Sequence, residues 1–409
     1  VTARRGGDGA PPVITGVGLV TAWGLGRAPL EEALATGEPR ALPIDRLTGL
    51  APRPGSGAAV ASHVREVSLE PWLAAGEARR MSPPSRFAVV AGRMALAEAG
   101  LAAGGEVMPD LGIVLASAFA ASSATQALLD QLVAEGPDAL SPFHFMESVA
   151  NAPAGQAAIH CRAGGTNLTL CQREAGPVSA LGRAAAEVSR GRARRVLAGA
   201  AEEMTPLLFS VLERFGALAA VPRPFDRDRR GCLPAEGATV LLVEDAAAAH
   251  GRGARPLARV RCWGGAFDPT AGRSSWGRGA GAFAAALGRD LGRSGLGPAD
   301  VGAVVSGASG SRPGDRLEAA VLRELFAGGE LPPVLAPKGV TGEYGGAYLV
   351  AALTALAGRP VVPPAGFREP DPGLGVVPHR GPVPPAPERV LVTGLAAGGS
   401  GAWVILEAP

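Results

Sequence analysis

The sequence predicts an α/β fold built from two similar halves. Three observations carry this. Short apolar runs of strand length alternate with longer segments of helical periodicity along the whole chain. The series then begins again, in a similar order, after residues 246–256. Most of the strand-length runs are apolar throughout, as in largely parallel sheets covered on both faces. The composition fits such a core: 47% of residues are hydrophobic but only 4% aromatic, so Ala, Val and Leu must fill the interior.

The elements follow in order. VITGVGLV (13–20) is a first strand and 28–36 a helix, before a Pro- and Gly-rich excursion to about residue 80. PSRFAVVAGRMALAEA (84–99) places Phe87, Val90, Ala91, Met94 and Ala97 on one helical stripe. LGIVLAS (111–117) is a buried strand, 122–134 a helix, and 141–160 passes from loop into helix. A strand-to-helix unit at 167–182 comes next, then the strand RRVLAGAAEEM (194–204). A charged, Gly-punctuated loop (223–238) leads into the strand TVLLVED (239–245). The second series has strands at 257–264, 301–307, 332–337, 388–394 and 402–408, and helices at 279–294, 316–326 and 345–358. The chain therefore divides into a disordered leader (1–11), an N-terminal half (12–250) and a C-terminal half (251–409).

Bulk properties exclude several classes of function. A net charge of +2 argues against nucleic acid as the main partner. The run at 13–20 is too short to span a bilayer and lacks the flanks of a signal peptide, so no membrane role is expected. Cys161, Cys171, Cys232 and Cys262 form no CxxC pair and fit reduced, buried thiols of a cytoplasmic protein. The five histidines show no HxxxH or HxH spacing, so no metal site is expected.

The stretch NLTLCQREAGPVSALG (167–182) carries the chemistry. Leu168 and Leu170 share one face of a short strand, and Val178, Leu181, Ala184, Ala185 and Val188 share one face of a helix. The abrupt turn between them aims one side chain at the helix N-terminus, where free N–H groups favour an anion and would activate a thiol. Here that side chain is Glu174. Its plain reading is a helix-start glutamate stabilised by the dipole.

Five ordered blocks resemble the β-ketoacyl synthase family of the thiolase fold. RPFDRDRRGCLPAEGATVLLVED (223–245) is similar to that family's RPFD-x-x-R-x-G-x-x-x-x-E-G-A block. VVSGASGSRPGDRLEAAVLRELF (304–326) resembles its HGTxTxxxDxxEAxxL block, and APKGVTGEYGGA (336–347) its PK-x-x-x-GH block. GRPVVPPAG (358–366) and VTGLAAGGSGAWVIL (392–406) resemble its late Pro-Pro loop and GFGGxNA loop. The resemblance runs from about residue 12 to 408 and implies a duplicated, five-layer αβαβα fold.

Carried over residue by residue, the resemblance places Glu174 where family members have a nucleophilic Cys. Gly307 and Glu343 stand at the two histidine positions. Lys338, Asp315 and Glu318 are retained, and the gating loop reads Leu395, Ala397, Gly398 and Gly399, without its two Phe. Cys171 falls three residues early. REAGPVSAL (173–181) is similar to the xQAGxxxAL stretch of chain-length factors, the β subunits of type II polyketide ketosynthase heterodimers.

The losses have a chemical meaning. A carboxylate is a weak nucleophile whose acyl product would be a mixed anhydride. Decarboxylation needs donors aimed at an enolate oxygen, and Gly307 and Glu343 offer no imidazole. No intact catalytic residue is expected. The resemblance implies a non-condensing subunit that pairs with a catalytic ketosynthase and shapes the acyl channel in polyketide, polyene or fatty-acid-like biosynthesis. Its substrates would arrive on the phosphopantetheine arm of an acyl carrier protein, with no cofactor of its own. Two other readings stay open: an enzyme of altered chemistry using Glu174 and Glu343 as acid and base, with Lys338 as the competing ion-pair partner, or a homodimer that binds a carrier or an apolar ligand. Arg79, Arg80 and Arg86, or the run Arg190, Arg192, Arg194 and Arg195, could receive an acidic carrier, against the plain reading of solvated arginines. Arg223, Asp226, Arg227, Asp228 and Arg229 are expected to lock their loop by ion pairs.

Overall fold

The computed structural model describes residues 10–409 except 66, 103 and 104; most of the expected leader therefore lies outside the described residues. Ten strands make the scaffold: β1 (Val13–Thr21), β2 (Leu111–Ala116), β3 (Asn167–Leu170), β4 (Arg195–Glu202), β5 (Gly237–Glu244), β6 (Ala258–Phe267), β7 (Ala303–Val305), β8 (Val334–Leu335), β9 (Arg389–Leu395) and β10 (Ser400–Glu407). Their order is β3-β2-β4-β5-β1-β6-β10-β9-β7-β8, so each half of the sheet repeats one connectivity. Within the sheet, the strands of the two halves meet at the β1–β6 seam, through the pairs Val13–Arg259 and Ile14–Ala258.

The pairing is more mixed than the sequence predicts. β2 pairs parallel with β3 and β4, and β7 with β8 and β9. β5 and β10, however, run antiparallel to both of their neighbours. The cause is visible at β9–β10: Ala396–Gly399 reverses the chain in one tight turn, with Gly398 and Gly399 at φ 96° and 91°. Such a turn can join only antiparallel neighbours.

Helices supply the other layers. Gly176–Ser189 lies in the middle, where Val178, Leu181, Ala184 and Val188 share one core with Val350, Ala351 and Leu353 of the helix Val350–Leu356. Pro83–Glu98 and Ala152–His160 cover the first half, and Ala280–Arg293 and Arg312–Leu325 the second. Pro83–Glu98 rests directly on β1: a Cβ added at Gly16 would lie 2.0 Å from Ala95 O, and one at Gly18 only 1.7 Å from Ala91 O. Its buried face accordingly runs through Ala88, Ala91 and Ala95, and Ala97 is exposed, contrary to the expected stripe. Of the helices additional to those predicted, one shapes the site. Pro206–Arg214 is capped by Thr205 and buries Leu208, Phe209 and Leu212 against Ile44, Met204 and Tyr344.

Candidate active site

Glu174 sits in a single turn, Arg173–Ala175, that leads straight into the central helix. Arg173 adopts φ 46°, a left-handed conformation costly for a side-chain-bearing residue. Glu174 Oε2 is shut off from solvent and has no hydrogen-bond partner. Burial first, and then the charge of Glu343, push its carboxyl up to about 7. Removal from water thus opposes the charge that the field of the helix start would favour.

Glu343 answers from the turn Gly342–Gly346, which contains the left-handed Tyr344 at φ 82°. Its Oε1 takes the Lys338 ammonium at 2.6 Å, with both side chains buried. Glu343 Oε2 has no partner. Lys338 Nζ also lies 4.4 Å above the Tyr348 ring, and Tyr348 donates to Thr393 O at 3.3 Å. A lone ammonium thus stands against two carboxyl groups.

The position at Gly307 is filled as well as unarmed. A Cβ built there would lie 2.9 Å from Thr393 O and 3.2 Å from Gly394 Cα. The Gly307 N–H donates to Thr393 Oγ1 at 3.2 Å. Glu318 accepts from Ser306 Oγ at 3.0 Å and from Thr393 Oγ1, and Asp315 accepts from the N–H groups of Phe225, Ser309 and Gly310. Both carboxyls are raised by burial, Asp315 to about 7, and both brace loops around the site. In the gating loop, Leu395 is buried, Gly398 donates to Ser275 O at 2.8 Å, and Gly399 O accepts from Asp268 N at 2.8 Å.

Three neighbours have no counterpart among the site residues read from sequence. Cys232 sits close enough that the charges of Glu343 and Glu174, after burial, drive its thiol well above the usual range. Phe119 meets Tyr344 edge to face at 4.9 Å. Glu202 is buried, accepts from the Ala118 N–H, and is pushed up to about 8 by desolvation. Nothing in a lone Cys, Phe or Glu marks such convergence, because their elements meet only in the folded sheet.

Other expectations fare variously. Cys161, Cys232 and Cys262 are buried free thiols, but Cys171 is exposed, since β3 forms the outer edge of the first half. Burial and the Glu202 charge raise the Cys171 thiol, the wrong direction for a nucleophile. In the 223–230 loop, Arg229 pairs with Asp315 and Asp371, and Arg227 with Glu369, while Asp226 instead accepts from the backbone at 368–369. Arg192 and Arg195 are spent on Glu187, Asp110 and Glu244. Among the described residues, no cluster of His, Cys, Asp or Glu could hold a metal ion, and no helix is long and apolar enough to cross a membrane.

Residues 11–249 match the β-ketoacyl synthase N-terminal domain. The chain belongs to the β-ketoacyl synthase family. Within that family it is 30% identical to the tetracenomycin polyketide synthase ketoacyl synthase beta subunit of Streptomyces glaucescens, over 90% of each chain. The ishigamide ketosynthase/chain length factor superposes with a TM-score of 0.88 at 26% identity, covering 100% of both chains. A type II polyketide synthase acyl-carrier protein in complex with its ketosynthase bound to the hexaketide gives a TM-score of 0.84. At 20% identity, over 98% of this chain and 100% of that one, the second structure shares the fold alone. The thiolase-like fold expected from the sequence is the observed one, and the relatives of this β-ketoacyl synthase family member include both polyketide ketosynthase beta subunits and 3-oxoacyl-[acyl-carrier-protein] synthases.

Proposed function

We propose that this chain is a non-condensing ketosynthase-like subunit, a chain-length factor, that pairs with a Cys-bearing ketosynthase and shapes the acyl channel. One observation carries the reading: the nucleophile position holds Glu174, whose Oε2 is shut off from solvent without a partner, beside a Lys338–Glu343 ion pair and no imidazole. Such a site can neither accept an acyl group as a thioester nor stabilise an enolate.

An exposed flank supports the pairing. The outer edge of β3 has no neighbour among the described residues, and the helices beside it leave Val133, Met146 and Ile159 more than half exposed. A second subunit would cover this apolar surface and extend the sheet. The carrier of the growing acyl chain would be an acyl carrier protein and its phosphopantetheine arm, in the cytoplasm. Co-expression with a Cys- and His-complete ketosynthase, followed by size-exclusion chromatography and product mass analysis, tests the reading. A monomer that ignores every such partner would defeat it.

One observation favours a second reading. A carboxyl near 7 next to another carboxyl is also the arrangement of an acid/base pair. Turnover of the reconstituted complex carrying Glu174→Gln separates the two.

A further inference from the structure

A cleft of about 680 Å³ opens on the surface near residues 53–58, 209–223 and 368. Four arginines line it: Arg53, Arg223, Arg230 and Arg368. Elsewhere in the chain, arginine side chains find carboxylates readily, as Arg46, Arg93, Arg192, Arg229 and Arg252 do. None of these four makes an ion pair or a side-chain hydrogen bond with another described residue, and Arg223 Nε is buried without a partner. Two carboxylates share the cleft, but Glu213 is occupied by Arg46 at 2.7 Å. Asp228 alone stands against the four guanidinium groups.

Like charges gathered along one cleft repel unless an anion joins them. Guanidinium forks match the oxygens of a phosphoryl group with paired, charge-assisted bonds. We propose that this cleft is a binding site for a small phosphate ester. Its place in the fold gives the site a consequence. Leu218 and Ala219, on the cleft wall, bracket Cys232: Cys232 N–H donates to Ala217 O at 2.9 Å and Ala219 N–H to Cys232 O at 2.8 Å. The next residue, Leu233, accepts from the Glu343 N–H at 2.8 Å. The cleft is thus one short backbone ladder away from the candidate active site, on a segment that a bound anion would hold in register.

The phosphate ester has two possible sources: an arm borne by a carrier protein, which rests on the function proposed above, or a free nucleotide-type ligand, which does not. Calorimetric titration of the full chain, alone or in its subunit complex, with pantetheine, 4′-phosphopantetheine and coenzyme A tests the site. Both phosphorylated probes should bind roughly tenfold or more tighter than pantetheine, and less tightly as salt rises. The exposed double reversal Arg230→Glu/Arg368→Glu should abolish that preference at an unchanged melting temperature. Equal binding of pantetheine and its phosphate, or an unchanged preference in the double variant, overturns the proposal. Holo- and apo-carrier proteins then separate the sources. Preference for holo-carrier assigns the arm, whereas binding of free coenzyme A with no holo preference supports the cleft and speaks against the carrier reading. A chain that pairs with a ketosynthase yet shows no phosphate preference refutes the cleft and leaves the proposed function standing.

Discussion

Lys338 Nζ lies 2.6 Å from Glu343 Oε1 in the interior, where a buried cation meets its counter-ion five residues along the chain. Ion and counter-ion together suppress the desolvation cost that either would carry alone. With Glu174 beside them, the set is neutral only when one carboxyl keeps its proton.

Removing the cation should therefore be severe. Lys338→Met leaves Glu343 buried without its charge partner and is expected to cost about 3–5 kcal/mol, the scale for breaking a buried pair. Lys338→Met/Glu343→Leu should recover much of that loss. Urea denaturation of the three proteins is the measurement. A single variant as stable as the parent would show that Glu343 is already neutral.

Placing the histidine that the resemblance implies at Gly307 should fail sterically before it fails chemically. At Gly307 even a methyl group meets Thr393 O at 2.9 Å. Gly307→Ala should cost about 1–3 kcal/mol, as overpacking does, and Gly307→His more. Thermal melts of the two variants check this, and an unchanged melting temperature for Gly307→His would mean that the Thr393 loop yields freely.

Purified alone, the chain should neither elongate nor become acylated when mixed with acyl-carrier substrates. Glu174 is a poor nucleophile, and burial raises the thiols of both Cys171 and Cys232. Intact-protein mass spectrometry after incubation should show no adduct. A stable acyl group on Glu174 would sink the idea, and one on Cys171 would move the nucleophile to the strand edge.

How far the site was legible depends on the kind of contact. Lys338, Glu343 and Gly307 could be placed because their blocks have fixed spacing from Asp315, Glu318 and Gly342. The Lys338–Glu343 pairing was also foreseeable, since a buried cation needs an anion. That two close carboxyls split their titrations was foreseeable too, but the upward shift at Glu174 was not, because it depends on how completely β4, the central helix and the turn at Gly342–Gly346 exclude water. Similarly, the antiparallel insertion of β5 and β10 leaves no mark on hydrophobic pattern, which reports burial and not direction. The arginine cleft draws on residues 53, 223, 230 and 368, and no local pattern links these.

Stability should fall as pH rises from about 5 to about 8. Glu174 and Asp315 titrate near 7 and Glu202 near 8 in the folded protein, against ordinary values of 4.5, 3.8 and 4.5. Between those limits the native state holds more protons than the unfolded chain, so alkali favours unfolding. Their stabilisation is complete below the ordinary carboxyl range and gone above about 8. Melting temperatures across this range check it, and a flat or rising profile would show these carboxyls ionised in the fold.

Glu174→Gln isolates one of the three groups. Gln keeps the shape of the side chain and cannot ionise, so it should behave like protonated Glu174. Near pH 5 the variant and parent should melt alike. Near pH 8 the variant should be the more stable by about 1–3 kcal/mol, the energy of placing one more charge beside Glu343. Turnover by the reconstituted complex should survive, because a protonated Glu174 of purely structural role transfers nothing. An acid/base role predicts the opposite, a fall in rate of roughly two to four orders of magnitude with the complex and its melting temperature intact. The pH-dependent melt and the rate are read on the same protein, so the two roles cannot be confused. Stability gained at pH 8 with turnover kept identifies Glu174 as the neutral floor of a silenced site. Turnover lost from a well-folded complex would make it a working acid.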